Sequence, residues 1–251
     1  MKLFTSIRVR ASQGTQYIRD LDAARPEGFV GRPRIAPRAC TSGCVQCKEA
    51  CPTGAVSLTP VAIDLGRCVF CRACEEICPE HKIEFTADAS MAASRRDALL
   101  VREGDDRALR AEANQTFARL FGRSLKLRQV SAGGCNACEL ELNAAANVNF
   151  DVGRFGIDWV ASPRHADALV LSGPITKNMS EAVRLVWDGM PEPRFLVAVG
   201  ACAISGGLYE GAAGVERQLL DGLPPALFVP GCPPQPLTFV RALLDFLAVR
   251  R

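Results

Sequence analysis

The second half of the chain consists of short apolar blocks separated by stretches in which apolar residues recur every three or four positions. The blocks at 125–130, 166–172, 195–200 and 226–229 have the length and composition of buried strands. Val183, Val186, Trp187 and Met190 line one face of a helix predicted within 178–190, and Leu237, Val240, Leu244 and Leu247 line one face of another near the C-terminus. Strands alternating with helices predict a parallel α/β sheet, with these stripes as plain core packing. Between 93 and 123 the sequence is rich in Arg, Asp, Glu and Ala, with Leu109, Ala113, Phe117 and Leu120 at helical spacing. That pattern predicts a connecting, partly exposed helix.

The first half carries an internal repeat. Cys44, Cys47, Cys51 and Pro52 recur 27 positions later as Cys71, Cys74, Cys78 and Pro79, and the same offset carries Val56 and Leu58 onto Ile83 and Phe85. Each copy reads as a cysteine loop followed by a short strand packed over its own metal site.

Composition sharpens this picture at one residue type. The chain has 251 residues, 48% hydrophobic and 23% charged, enough for one large domain or two small ones. Aromatics are 6% but there are 12 cysteines. Residues 1–10 lack an apolar core of signal-peptide length, and no apolar stretch approaches the roughly 20 residues that span a bilayer. A cytosolic location is therefore expected, where thiols act as metal ligands or redox groups in preference to a disulfide framework.

Cys68, Cys71, Cys74, Cys78 and Pro79 have the spacing C-x2-C-x2-C-x3-C-P. In this pattern three thiolates hold one cluster and the fourth holds the other. Applied to both copies, the rule gives two interlocked sets: Cys40, Cys44, Cys47 with Cys78, and Cys68, Cys71, Cys74 with Cys51. Zinc is the competing metal, although its loops usually come as separated C-x2-C pairs. Over about 33–89 the sequence resembles the bacterial-type two-cluster 4Fe-4S ferredoxins. One position departs from the repeat: residue 41 is threonine, the thiol is at Cys40, and Gly43 is placed to absorb the longer loop through a tight turn.

Cys135 and Cys138 form a C-x2-C pair after the first predicted strand of the α/β part, while Cys202 and Cys232 follow two later ones. Strand-to-helix turns of an open parallel sheet gather at its carboxyl edge, so these four thiols are expected to form a third site among glycines. Singly, Cys202 and Cys232 read as buried apolar cysteines and the C-x2-C pair as a redox dithiol.

The stretches GCNACELE (134–141), RFG (154–156), ASPRHAD (161–167), SGPITKNM (172–179), GACA (200–203) and PGCPP (230–234) resemble the small subunits of group 4, membrane-associated nickel–iron (NiFe) hydrogenases of the formate hydrogenlyase type. These are relatives of the 20 kDa iron–sulfur subunit of respiratory NADH:quinone oxidoreductase. The resemblance covers about 122–251 and implies a flavodoxin-like fold with a cluster on Cys135, Cys138, Cys202 and Cys232. The respiratory branch typically has adjacent cysteines in its first loop, whereas Asn136 and Ala137 separate them here, as in the hydrogenase branch. Glu141 is a candidate for proton transfer or tuning against the plain reading of an exposed helix carboxylate. Arg154, Arg164 and His165 are candidates for screening cluster charge. Arg32, Arg34 and Arg38 precede the first cysteine loop, with docking and solubility both open.

The expected organisation is an α+β ferredoxin-like domain over 1–92, a charged helical linker over 93–123 and an α/β flavodoxin-like parallel-sheet domain over 124–251. The formal charge of +3 counts cysteines as neutral, and three oxidised 4Fe-4S sites bring it to about −3. Nucleic-acid binding is not expected, nor is flavin or nucleotide, since no Walker A or G-x-G-x-x-G pattern follows a strand. The resemblance implies an electron-transfer subunit relaying electrons through three 4Fe-4S clusters to or from a nickel–iron large subunit that holds the catalytic centre. Membrane-embedded ion-translocating subunits would hold the assembly on the inner face of the cell membrane. Three rivals stand beside it: a complex-I-like subunit passing electrons to quinone, a stand-alone soluble carrier, and a chain whose C-terminal thiols bind no metal.

Overall fold

The computed structural model describes residues 3–249, so residues 1 and 2 of the expected N-terminal unit and 250 and 251 of the C-terminal one lie outside the described residues. The described chain opens with helix α1 (Leu3–Gln13) and an irregular arm. Strand β1 (Pro33–Ile35) pairs antiparallel with β4 (Ile83–Phe85), and β2 (Val56–Leu58) with β3 (Val61–Asp64). Two four-residue helices, α2 (Gln46–Glu49) and α3 (Ala73–Glu76), lie in the cysteine loops. The offset of 27 carries α2 onto α3 and β2 onto β4 residue for residue.

The helix expected over 93–123 is confined to α4 (Gln115–Phe121), whose Asn114 cap accepts the backbone N–H groups of Thr116 and Phe117. Upstream, a 3-10 turn (Arg96–Leu99) runs into strand β5 (Leu100–Arg102), which adds antiparallel to β3. Leu99 and Val101 are buried while Arg102 is exposed, a two-residue period that fits a strand and not a helix. The expected stripe divides accordingly. Leu109 packs on one core, Phe117 on another, and Leu120 is 52% exposed. The stretch is tied into the body: Arg96 grips the Asp64 carboxylate with bonds of 2.7 and 2.6 Å, and Ala93 exchanges both backbone hydrogen bonds with Phe228.

The remaining strands, β6 (Leu125–Ser131), β7 (Ile157–Trp159), β8 (Ala168–Ser172), β9 (Phe195–Val199) and β10 (Leu227–Val229), form one parallel sheet in the order β10-β9-β8-β6-β7. Four of these match the apolar blocks of the sequence; β7, at three residues, matches none. Helices α5 (Ala137–Ala144), α6 (Lys177–Asp188), α7 (Gly200–Ser205), α8 (Leu219–Gly222) and α9 (Pro236–Phe246) complete this half. Counted within it, the strand order is that of flavodoxin-like doubly wound sheets, with the switch point between β6 and β8.

Successive strand residues point to opposite faces, and both faces are covered. Val130, Leu169, Leu171, Leu196 and Ala198 join Ile63, Leu65, Ile83 and Val101 of the N-terminal half in a single buried cluster. On the other face Leu127, Val170, Val197 and Val199 pack against Leu237, Val240 and Leu244 of α9. The two halves thus share a core, and truncating a residue at their seam should destabilise both. Leu171→Ala is expected to cost about 2–5 kcal/mol. In anaerobic urea titrations, helix signal and exposure of the Cys47 and Cys68 thiols should shift to lower denaturant together.

Candidate metal centres

The cysteine loops place their thiols in two groups. Cys40, Cys44, Cys47 and Cys78 border a small cavity that Val61, Glu80, Lys82 and Ile83 also line. Cys51, Cys68, Cys71 and Cys74 border another, closed by Val56, Ile63, Val69 and Phe85. The strands are shared between the cavities: Val56 of the first copy lies over the cavity of the second triplet and Ile83 of the second copy over that of the first, while Phe85 stays over its own. The expectation that each strand covers its own site is corrected on this point. Among the described residues, no three His, Cys, Asp or Glu side chains are placed to hold a single metal ion. Each N-terminal quartet instead rings a space.

Backbone geometry serves the sulfurs. The Ala55 N–H donates to Cys51 Sγ at 3.2 Å and the Lys82 N–H to Cys78 Sγ at 3.4 Å, one bond in each copy at the repeat offset. Phe70, at φ +56, donates its N–H to Cys68 Sγ at 3.3 Å. In the longer first loop Gly43 adopts φ +73, the turn its position predicts, and Thr41, where the repeat would have cysteine, bonds Glu80 Oε1 at 2.5 Å.

The third group forms at the carboxyl edge of the parallel sheet. Cys135 follows β6, Cys138 opens α5, Cys202 lies in α7 and Cys232 follows β10. A side chain at Gly200, whose φ is +88, would place its Cβ 2.8 Å from Cys138 Sγ, so glycine is what lets that sulfur approach. The Ala201 N–H to Gly231 carbonyl bond, 2.9 Å, ties two of the loops together.

Crowding and burial act on all three groups. Burial first, then Cys74, Cys51 and Cys71, push the Cys68 thiol up to about 12, the Phe70 N–H opposing. Burial, then Cys51 and Cys71, push Cys74 to about 12. Cys47 is raised by burial, then by Cys78, Cys40 and Cys44. In the third group burial and then Glu139, Cys202, Cys232 and Cys135 push Cys138 to about 12. Burial, then Cys232 and Cys135, push Cys202 to about 11, and Cys232 is raised by burial and by Cys135.

Basic side chains beside the thiols are not those the sequence nominates. Arg154 precedes β7, and Arg164 and His165 form a turn before β8, so all three sit at the amino edge of the sheet. A strand of five residues spans about 16 Å, beyond the screening length in salt, so a charge-screening role for Arg154 and Arg164 at the third group is withdrawn. Arg154 instead stacks 4.6 Å from the Tyr17 ring and donates to the Ile18 carbonyl. Arg32 is buried and bonds Asp88 and the Asp105 and Asp106 carbonyls, a structural role. The cations that do lie at the groups are Lys82 and Arg72, which line the two cavities, and Arg217, which donates to the carbonyls of Cys202, Ala203 and Ile204. Sequence reasoning missed all three: Arg72 occupies an unspecified position within the cysteine motif, and Lys82 and Arg217 stand in no motif.

Glu141 lines an open cleft of about 270 Å³ with Val69 and Phe70 from the second cysteine loop and Gly231 and Cys232 from the third group. Burial raises its carboxyl above the ordinary range. Its neighbour Glu139 is held low: burial opposes ionisation, but hydrogen bonds from Ser172, at 2.5 Å, and Ser131 prevail.

A family model described as NADH ubiquinone oxidoreductase, 20 Kd subunit, matches residues 135–246, and one described as 4Fe-4S binding domain matches residues 61–81. The chain is 40% identical over 120 residues to the probable membrane-bound hydrogenase subunit mbhJ of Pyrococcus furiosus, covering 48% of this chain and 72% of that protein. It is 40% identical over 126 residues to formate hydrogenlyase subunit 7 of Escherichia coli, covering 50% and 49%. To a subunit of the NADH-quinone oxidoreductase of Citrifermentans bemidjiense it is 40% identical over 111 residues, covering 44% and 65%.

The thiol environments predict a reactivity order in metal-free protein. A thiol near 12 instead of 9.0 holds about a thousandfold less thiolate at pH 8, partly offset by greater nucleophilicity, so Cys68, Cys74 and Cys138 should alkylate about 30- to 60-fold more slowly than an ordinary cysteine. Exposed Cys40, Cys71 and Cys135 should be modified first, as followed by mass spectrometry of anaerobic, chelator-treated chain.

Proposed function

The chain belongs to the family of the NADH ubiquinone oxidoreductase 20 kDa subunit, and on that premise we propose that it is the electron-transfer iron–sulfur subunit of a membrane-associated nickel–iron hydrogenase of the formate hydrogenlyase or energy-converting type. Cys40, Cys44, Cys47 and Cys78 would hold one 4Fe-4S cluster, Cys51, Cys68, Cys71 and Cys74 a second, and Cys135, Cys138, Cys202 and Cys232 a third, which when bound supply one-electron redox chemistry. The observation that carries this reading is the grouping of the N-terminal thiols, three from one repeat with the fourth from the other. The donor chemistry fits, because every group is all sulfur and crowded thiolates need a cationic core to offset one another. The ferredoxin-like reading of the N-terminal unit rests on the exact repeat of helix, strand and N–H···S bond at one offset.

The second group is the neighbour of the third. Val69 and Phe70, between Cys68 and Cys71, face Gly231 and Cys232 across the cleft. The Arg67–Glu210 ion pair and the packing of Gly66 beneath Ile204 hold that loop against α7, which carries Cys202. The order of electron passage is then first group, second group, third group, with Glu141 placed in the cleft to move a proton or tune the potential. Exposed Cys135 and Cys232, with exposed Leu140 nearby on α5, offer the carboxyl edge to a large subunit. Among the described residues no helix is long and apolar enough to cross a membrane. In the proposed assembly, membrane-embedded, ion-translocating partners would provide attachment at the inner face.

The equal identity to an NADH-quinone oxidoreductase component supports a second reading, reduction of quinone beside a partner lacking nickel. The C-x2-C spacing around Asn136 and Ala137 favours the hydrogenase.

Anaerobic purification of the native assembly should yield about 12 iron atoms per chain and nickel in a co-purifying large subunit. Cys202→Ser is expected to lower the iron to about 8 while leaving the paramagnetic signals of the N-terminal groups. Iron of about 8 in the unsubstituted chain would sink the third cluster, and bound quinone without nickel would transfer the chain to the second reading.

A further inference from the structure

The N-terminal helix has no place in the electron route. Every residue from Phe4 to Tyr17 is exposed, and none of the described side chains of α1 packs in either core. Phe4 is 75% and Ile7 55% exposed. With Ala11 they follow an i, i+3, i+7 pattern and share one face, and at 3.6 residues per turn Arg8 and Arg10 stand about 70° and 90° to either side of it. The opposite face carries Thr5, Ser6, Ser12 and Gln13 with one apolar residue, Val9. Residues 1–19 hold Lys2, Arg8, Arg10 and Arg19 and no acidic residue, the first being Asp20.

We propose that α1 is an interfacial helix that lies on an anionic lipid surface, with Phe4, Ile7 and Ala11 inserted and Arg8 and Arg10 reaching phosphate headgroups. Two features of the helix favour lipid over a protein occupant. Its face is far smaller than the roughly 1,000 Å² a stable protein interface buries. Its flanking arginines have aliphatic stems that lie along the apolar boundary while their charges reach outward. The arm is rooted to take such a load. Tyr17 stacks on Arg154, the Ile18 carbonyl accepts from Arg154 at 2.7 Å, and the Ile18 N–H donates to the Asn149 carbonyl at 2.8 Å. That root is at the amino edge of the sheet, leaving the thiol-bearing carboxyl edge to a protein partner. The inference rests on the membrane-associated reading above and adds a direct contact to the attachment through partners.

The test is vesicle flotation of the anaerobically purified full chain at low salt. Phosphatidylcholine vesicles containing one quarter phosphatidylglycerol should carry the chain, pure phosphatidylcholine should not, and high salt should release it. Arg8→Glu with Arg10→Glu should weaken binding at least roughly 30-fold, and Phe4→Ser with Ile7→Ser should abolish flotation. Both variants should retain the iron content of the unsubstituted chain, since none of the substituted side chains packs in either core. Failure to float on anionic vesicles, or equal flotation of the variants, would overturn the proposal while leaving the electron-transfer reading intact. So would loss of partner subunits from the native assembly of the Phe4/Ile7 variant without vesicle binding, which would give the face to a protein. Low iron in the unsubstituted chain would instead strike at the electron-transfer reading.

Discussion

The structure is organised around the cost of bringing sulfur anions together. Twelve thiols stand in three groups of four, and in each group burial and neighbouring thiols hold cysteines in the protonated form. A fold that keeps such groups assembled must supply compensation from outside the thiols. It does so with backbone N–H groups aimed at Cys51, Cys68 and Cys78 and with Arg217 beside Cys202, whereas Lys82 and Arg72, which line the first two cavities, are paired to Glu103 and Glu75. These partial and full charges lower the energy of the ionised sulfurs but do not cancel it. Under the proposed iron–sulfur reading, a multinuclear cationic core would be the element whose charge completes the balance.

Where function demanded a rigid local pattern, the chain spells it out. The offset of 27 announces the two cysteine loops and the strands that follow them, and the short helices α2 and α3 inside the loops, which the sequence did not announce, recur at the same offset. The apolar blocks mark four strands of the parallel sheet; in β8, β9 and β10 burial on both faces leaves a continuous hydrophobic run, while β6 alternates apolar with Lys126 and Arg128. What stayed hidden was decided by tertiary contacts. β5 lies in a stretch whose composition and spacing fit a helix, yet pairing with β3 and burial of Leu99 and Val101 made it a strand. β7 is too short to show a period. Arg217 reaches the third group only because the loop after α7 folds back beneath Cys202.

A shared core changes what the two halves can be. Joined only by a solvated linker, an N-terminal unit would leave the gap between the second and third groups to fluctuate. Here Ile63, Leu65 and Val101 are buried together with Leu169, Leu171 and Leu196, and Ala93 bonds the edge strand β10 at Phe228. Electron exchange depends steeply on separation, so a gap fixed by packing suits a conduit. The sequence could not reveal this, since each half has enough apolar residues to account for a core of its own.

The parallel sheet then divides its two ends between tasks. Its carboxyl edge collects Cys135, Cys202 and Cys232, because every strand there is followed by a turn that can lend one thiol without disturbing the pairing. Its amino edge receives Arg154, whose place in a stretch resembling known small subunits suggests a screen for cluster charge. Strand length alone separates that guanidinium from the sulfurs. Its ring stacking and carbonyl contact bind the N-terminal arm instead, using the cation where an aromatic ring and an otherwise exposed carbonyl can repay it. A residue set within a motif is thus assigned by the edge it occupies, and for a doubly wound sheet that edge follows from whether the residue comes before or after its strand.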